Sequence, residues 1–362
     1  MSNIHVFFNH NIAGPNSSKI ELLETFGSTL ITDLTYAYVL SPIGFIGTVL
    51  NIVCAFLLNK TEFKSRKIFK YLKVYVICSA VVCLSLAFIQ TLKIYKLADY
   101  NQLFITRLIV CYVARPMVLI SLYFASVMDI LITIERIMAF KPSKSFKKHP
   151  PSTLFSCFFL ILSIVVNLPL VLSLYPAHID WKVGSNETLN IFYIGVSEFA
   201  KSKLGKVLIG LSFFIRDILT TAVGLCLNIW LIVLFKRHVV KKEHRLNNIL
   251  TTNNRCLNEE EQSTAQANLI TQTNSLHKTD RKLTFMIIVL SFLSFVEHMV
   301  FIVASVAYIV APGPTTLNVN LNVFLFITIK YSLNMFIFSF FNTRFHNSLI
   351  QTFKKSKEKQ TP

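Results

Sequence analysis

Seven apolar stretches decide what this chain can become: residues 36–58, 74–92, 108–134, 153–175, 207–235, 283–311 and 321–341. Each reaches the roughly 17–25 residues that carry a helix across a bilayer. A segment in hydrocarbon has to satisfy its own backbone hydrogen bonds, so such runs cross as helices. The predicted fold is all-α: a seven-transmembrane helix bundle. Composition agrees, since 53% of the 362 residues are hydrophobic and 32 are phenylalanine, a make-up foreign to soluble domains.

The formal charge of +18 sets the orientation. Six Lys+Arg lie between Lys60 and Lys73, four between Lys141 and Lys148, nine between Lys236 and Lys282, and five from Arg344 onward; the other side receives eight. Basic short loops stay cytoplasmic, which predicts a plasma-membrane protein with residues 1–35 as an extracellular tail, 236–282 as a long cytoplasmic loop and 342–362 as an interfacial helix and cytoplasmic tail. Attraction to anionic inner-leaflet lipid accounts for the basicity, so membrane lipid is an expected partner and nucleic acid is not. The first 34 residues lack the basic start and short apolar core of a cleavable signal, so the first span is expected to direct its own insertion. Asn16-Ser17-Ser18 and Asn186-Glu187-Thr188 are N-glycosylation acceptor patterns, both on the predicted outer face.

Charged residues inside the spans are the next constraint. Arg115 and Asp129 interrupt the third, Arg216-Asp217 the fifth, Glu297-His298 the sixth and Lys330 the seventh. An ionisable group at the membrane centre costs about 2.5–3.5 kcal/mol even on lenient scales and faces the bundle. Asp129 precedes Arg136 by seven residues, so the two share a helix face. Adjacent helical residues point about 100° apart, so Arg216 need not pair with Asp217. Arg115 and Arg216 are candidates to receive an anionic ligand group; the alternative is salt bridges to Asp217 or Glu297. Glu297 and His298 read as a titratable pair beneath a predicted pocket; the alternative is a satisfied polar pair.

From Cys111 to the Glu135-Arg136-Ile137 triplet the third span covers 25 steps, roughly 37 Å of helix. A cysteine and an acidic-Arg pair at opposite ends of a third span resemble the rhodopsin-like (class A) G-protein-coupled receptors, and the chain looks like a divergent invertebrate chemoreceptor or orphan member. The resemblance runs from about residue 36 to 356 and includes Asn51 in the first span, Asn334-Met335-Phe336-Ile337-Phe338 in the seventh, and Phe345, which opens an amphipathic segment with Leu349, Ile350 and Phe353. It implies that Arg136, beside Glu135, holds the resting state or meets a heterotrimeric G protein, and that Asp280 is placed to lock Arg136. Asn334 and Phe338 occupy positions used in activation, and Asn51 and Asp129 form a polar core. The usual second-span carboxylate is missing, with Ser79 or Cys83 nearest its place. Asp129 is therefore expected to supply a central carboxylate close to Asn334; the alternative is a neutral aspartic acid hydrogen-bonded within the bundle.

Departures from the pattern limit the ligand. Met335 and Phe338 replace a proline and a tyrosine, Glu297-His298 stands where Cys-Trp is usual, and the loop after the fourth span has no cysteine for Cys111, which is expected to stay unpaired. Thr328 occupies the retinal-lysine position and Val118 the amine-binding aspartate position, arguing against an opsin and an aminergic receptor. Arg115, Val118, Arg216, Glu297 and His298 are the ligand-pocket candidates, for an extracellular peptide or small chemical. No catalytic residue, metal or cofactor is expected. The alternative function is a seven-helix channel or transporter with a charged intramembrane pathway.

Overall fold

The computed structural model describes the backbone of residues 19–60, 63, 67–95, 103–140, 152–183, 187–253, 261–310 and 314–358, and side chains within 37–60, 63, 67–92, 105–140, 154–176, 195–241, 281–304, 306 and 322–352. Asn16 and Asn186 lie outside the described residues, as does the side chain of Asp280.

Seven helices long and apolar enough to cross a membrane are present, one for each apolar stretch. They belong to α1 (Lys19–Leu58), α2 (Lys67–Tyr95), α3, α4 (Ser152–Leu172), α5, α6 (Glu261–Val310) and α7. Helix α3 joins Leu103–Ile109 to Arg115–Phe140 through a π-helical turn at Val110–Ala114. Helix α5 joins Lys203–Phe213 to Thr220–Asn253 through a second such turn at Phe214–Leu219. Helix α7 runs over Pro314–Ser332 and, after a break at Leu333, Asn334–Phe341; α8 (Thr343–Glu358) follows. The protein is a multi-pass, all-α membrane bundle.

Helix α3 is the axis of the bundle, with 72% of its most apolar window buried, whereas α4 at 17% and α5 at 11% turn most of their surface to lipid. Close approach of α1 to α2 depends on Gly44, where an added Cβ would lie 2.8 Å from Ala87 Cβ and 2.9 Å from the Cys83 carbonyl oxygen. Small residues at such crossings let apolar helices approach in lipid.

The loop after α4 differs from a plain connection: β1 (Leu174–Val183) and β2 (Glu187–Val196) pair antiparallel, with Leu174 opposite Val196 and Val183 opposite Glu187. Strand pairing satisfies backbone groups of a segment that has no helix to join. Its two ends are tied where Ser197 N–H donates to the Ser173 carbonyl at 2.9 Å and Ser197 Oγ donates to the Leu172 carbonyl at 2.6 Å. Cys111 is a free, buried thiol, as expected, and packs with Val110 against Leu174 at the root of the hairpin. Contact there takes the place of a covalent tether.

At the opposite end of the bundle, α8 is docked by its first two turns. Asn342 caps it, its Oδ1 accepting the Phe345 N–H at 3.2 Å. The buried Phe345 ring lies 5.8 Å from Phe338 and 6.5 Å from Phe63. Lys60 Nζ donates to Ser348 Oγ and Thr352 Oγ1, both at 2.9 Å. Three helices, α1, α7 and α8, thus meet at one aromatic and hydrogen-bonded corner.

Candidate functional site

Burial in hydrocarbon leaves a polar side chain only other polar side chains to bond, and the apolar helices each carry a stripe of them. On α3 the stripe is Ser126, Asp129, Thr133 and Arg136; on α6 it is Thr284, Ser291, Ser294 and His298. Steps of three, four and seven residues keep each stripe on one face. The two stripes face each other, with α5 and α7 closing the sides.

Nearest the Cys111 end, the π-turn of α5 determines the chemistry. The wider turn lets Thr220 Oγ1 donate to the Ile215 carbonyl five residues back, at 2.9 Å. The Arg216 guanidinium folds onto its own neighbour: Nε lies 3.0 and 3.1 Å from the two Asp217 carboxylate oxygens and Nη2 lies 2.6 Å from Oδ2. This is the salt bridge to Asp217 that the sequence offered as the alternative to anion binding. The long arginine stem overcomes the angular offset, and the two buried charges pair directly. Phe301 completes the setting, its centroid 6.0 Å from the guanidinium carbon. Arg115 is buried within electrostatic range of Arg216.

Glu297 and His298 do not act as a pair. Glu297 turns toward α7, where Lys330 Nζ forms an ion pair with its carboxylate and donates to Ser294 Oγ at 3.0 Å. The Tyr331 hydroxyl donates to the Glu297 oxygens at 3.3 and 3.4 Å. His298 turns toward α3 and α5, with Nε2 3.0 Å from Ser126 Oγ and Nδ1 3.7 Å from Asp217 Oδ1. Their 100° separation on α6, which Arg216 overcame by reach, here sends two shorter side chains to different neighbours. Lys330 enters the site as the counter-charge of Glu297, and Thr328, two residues before it, is buried with its hydroxyl donating to the Phe324 carbonyl.

Asp129 faces the bundle as predicted, and is 5% exposed. Its Oδ1 accepts from Ser291 Oγ at 3.1 Å. The expected neighbour Asn334 is engaged elsewhere: its Nδ2 donates to Asn51 Oδ1 at 2.9 Å, while Asn51 Nδ2 donates to the carbonyls of Gly47 at 2.7 Å and Tyr331 at 2.8 Å. The polar core is therefore two clusters, Asn51 with Asn334 between α1 and α7, and Asp129 with the α6 serines. A serine face on α6 gives Asp129 nearer donors than the amide does. Val118 is packed in the apolar core.

At its inner-predicted end, α3 presents Arg136, 7% exposed, whose Nε donates to Thr284 Oγ1 on α6 at 2.7 Å. The guanidinium carbon stands 4.9 Å from the Phe140 centroid, a cation–π distance. Glu135 beside it is half-buried. Phe338 is buried against Phe345.

Ser126, Asp129, Asn228, Ser291, Ser294 and His298 line a cavity of about 20 Å³ between α3, α5 and α6. Such a volume holds a single water molecule. Among the described residues no group of three or more His, Cys, Asp or Glu side chains is placed to hold a metal ion. The arrangement offers charge pairing, hydrogen-bond exchange between helices and proton binding. No protein-family model matches the chain, and no curated protein matches it.

Proposed function

We propose that this chain is a plasma-membrane receptor of the rhodopsin-like kind, which binds an extracellular peptide or small chemical and activates a heterotrimeric G protein at its cytoplasmic face. The observation that carries the reading is the 2.7 Å bond from Arg136 Nε to Thr284 Oγ1, which joins α3 to α6 at the end where positive loops cluster. A hydrogen bond between the two helices is a contact that a ligand can open, to the extent that the ligand's affinity differs between the bonded and the opened state. The Lys330–Glu297 pair and the His298 contacts lie between that bond and the opposite end, so a shift of α6 or α7 there is felt at Thr284.

The test is nucleotide exchange on a panel of G proteins in membranes expressing the wild type, Arg136→Ala and Thr284→Ala, without ligand and then with a mixed peptide and metabolite pool. Thr284→Ala is expected to raise basal exchange, and Arg136→Ala to remove the stimulated part. Silence across the panel with protein confirmed at the surface would overturn the reading.

A channel or transporter is the second reading, favoured by the burial of Asp129, Arg216, Asp217, Glu297 and Lys330 among α3, α5, α6 and α7. Intramembrane charges mark ion and substrate pathways as well as receptor cores. Current across voltage-clamped membranes that changes with Lys330→Gln would establish it.

A further inference from the structure

We propose that Phe140 is a positioning residue, which holds the Arg136 guanidinium against its ring and passes the closure of α6 on to α5 at the inner-predicted end of the bundle. Arg136 and Phe140 stand four residues apart on α3, so they share a face. Side chains on a helix lean back toward its N-terminus, which brings the Phe140 ring onto the turn of Arg136. The guanidinium carbon lies 4.9 Å from the ring centroid. A guanidinium that stacks through its flat face keeps its N–H edge for hydrogen bonds, and here Nε donates to Thr284 Oγ1 of α6 at 2.7 Å. The Phe140 ring has two further neighbours on α5: the His238 ring at 5.0 Å and the Phe235 ring at 6.0 Å, centroid to centroid. Both distances fall in the range of favourable aromatic pairs. One guanidinium thus reaches α6 through its edge and α5 through its face.

Helix α5 needs such an anchor. Leu231, Phe235 and His238 follow at steps of four and three, so they share one face of α5, the face that meets Phe140. Among the described residues from 222 to 241, Leu231 is the one side chain that is buried. Lipid tails are as apolar as leucine, so a leucine contact gives α5 little preference for α3 over lipid. The ring stack differs, because it offers the guanidinium a π face that acyl chains lack. Loss of the Phe140 ring therefore leaves α5 with contacts that lipid can replace, and leaves Arg136 bonded to Thr284 without the face that orients it. The inference rests on the receptor reading for the use of this closure, since that reading has Arg136 meet the G protein.

The experiment is a pair of spin-label distances in the full chain in nanodiscs, one from Lys70→Cys on α2 to Val240→Cys on α5 and one from Lys70→Cys to Arg281→Cys on α6. All three positions are exposed, and Cys157→Ser, Cys226→Ser and Cys256→Ser clear the background. Phe140→Leu keeps an apolar side chain and lacks a π face. It is expected to lengthen both distances by about 1–2 Å, the scale of helix shifts at packed interfaces. Phe140→Trp, with the stronger π face, is expected to hold both at the wild-type values. Thr284→Ala cuts the edge bond to α6; it is expected to lengthen the α5 distance as well, and to add nothing to it once Phe140→Leu is present. Wild-type distances in Phe140→Leu overturn the proposal. A change in the α5 distance alone, or effects of Thr284→Ala and Phe140→Leu that add, also overturn it, because the ring then packs on α5 independently of Arg136. If Phe140→Leu yields no folded protein, Phe235→Leu with His238→Leu cuts the same stack from the α5 side and decides by the same two distances. No G protein is present, so silence in the exchange assay and failure of the stack are separate results.

Discussion

At the scale of single residues, the ion pair between Lys330 and Glu297 is the contact with the sharpest consequence. Both side chains are 2–3% exposed, so removing one leaves a charge with no water to face, a loss of about 3–5 kcal/mol. Replacing both with apolar residues of similar volume removes the desolvation cost along with the attraction and is often neutral. Lys330→Met is therefore expected to lower the melting temperature steeply, and Lys330→Met with Glu297→Leu to recover most of the loss. Thermal unfolding in detergent checks it, and a double variant no better than the single one refutes it. The Asn51 and Asn334 contact is of the other kind, neutral and shared between amides. Asn51→Ala takes away the acceptor of Asn334 and the donor to two carbonyls, at about 1–3 kcal/mol for a buried group left unsatisfied. Asn51→Asp keeps the acceptor and separates the two losses in the same assay.

At the scale of elements, the helices were legible because seven runs of apolar residues leave one backbone solution in lipid. The amphipathic segment after Phe345 was legible from its spacing. The hairpin Leu174–Val196 left a signal that was passed over: Ala177 to Val183 alternates apolar and polar residue by residue and Gly184-Ser185-Asn186 follows as a turn signal, but the pairing serves a loop rather than a core. The two π-turns were hidden: their signal is a change of hydrogen-bond partner, which leaves no mark in residue type. This is why the sequence left open whether Arg216 pairs with Asp217, although it placed one or both inside the bundle. Helix α8 carries a prediction of its own. Phe345→Ala opens a hole beside Phe338 and Phe63, and Lys60→Ala removes the ammonium shared by Ser348 and Thr352. Large-to-small changes of this kind cost about 3–5 kcal/mol in a core. Here the loss falls on one peripheral element, so amide exchange in α8 is expected to accelerate while the melting of the bundle barely moves. A matching fall in the global melting temperature would mean that α8 is part of the cooperative core.

For the whole molecule, the stripes on α3 and α6 explain how much of the site could be read in advance. Charged residues stand out against an apolar run, so Asp129, Arg136, Arg216, Glu297 and His298 were found. Serine and threonine do not stand out, because in lipid they return their hydroxyls to the carbonyl four residues back, as Ser126 and Thr133 do. Ser291, Ser294 and Thr284 were legible only as a period, and which charge each would serve depends on the rotation of α6 about its axis. That rotation is fixed by packing against α3. The orientation of the whole bundle is a separate matter, because it rests on where lysine and arginine fall. Arg344 is exposed at the head of α8, and Lys206 is exposed near the start of α5, at the opposite end of the bundle. Arg344→Cys is expected to react with a membrane-impermeant thiol reagent only after cells are opened, and Lys206→Cys to react in intact cells. The native cysteines form the background: four of the six described are buried, and Cys157 and Cys226 lie on the poorly buried α4 and α5. The reverse pattern would place Arg136 at the outer surface and leave the Thr284 bond with no G protein to meet.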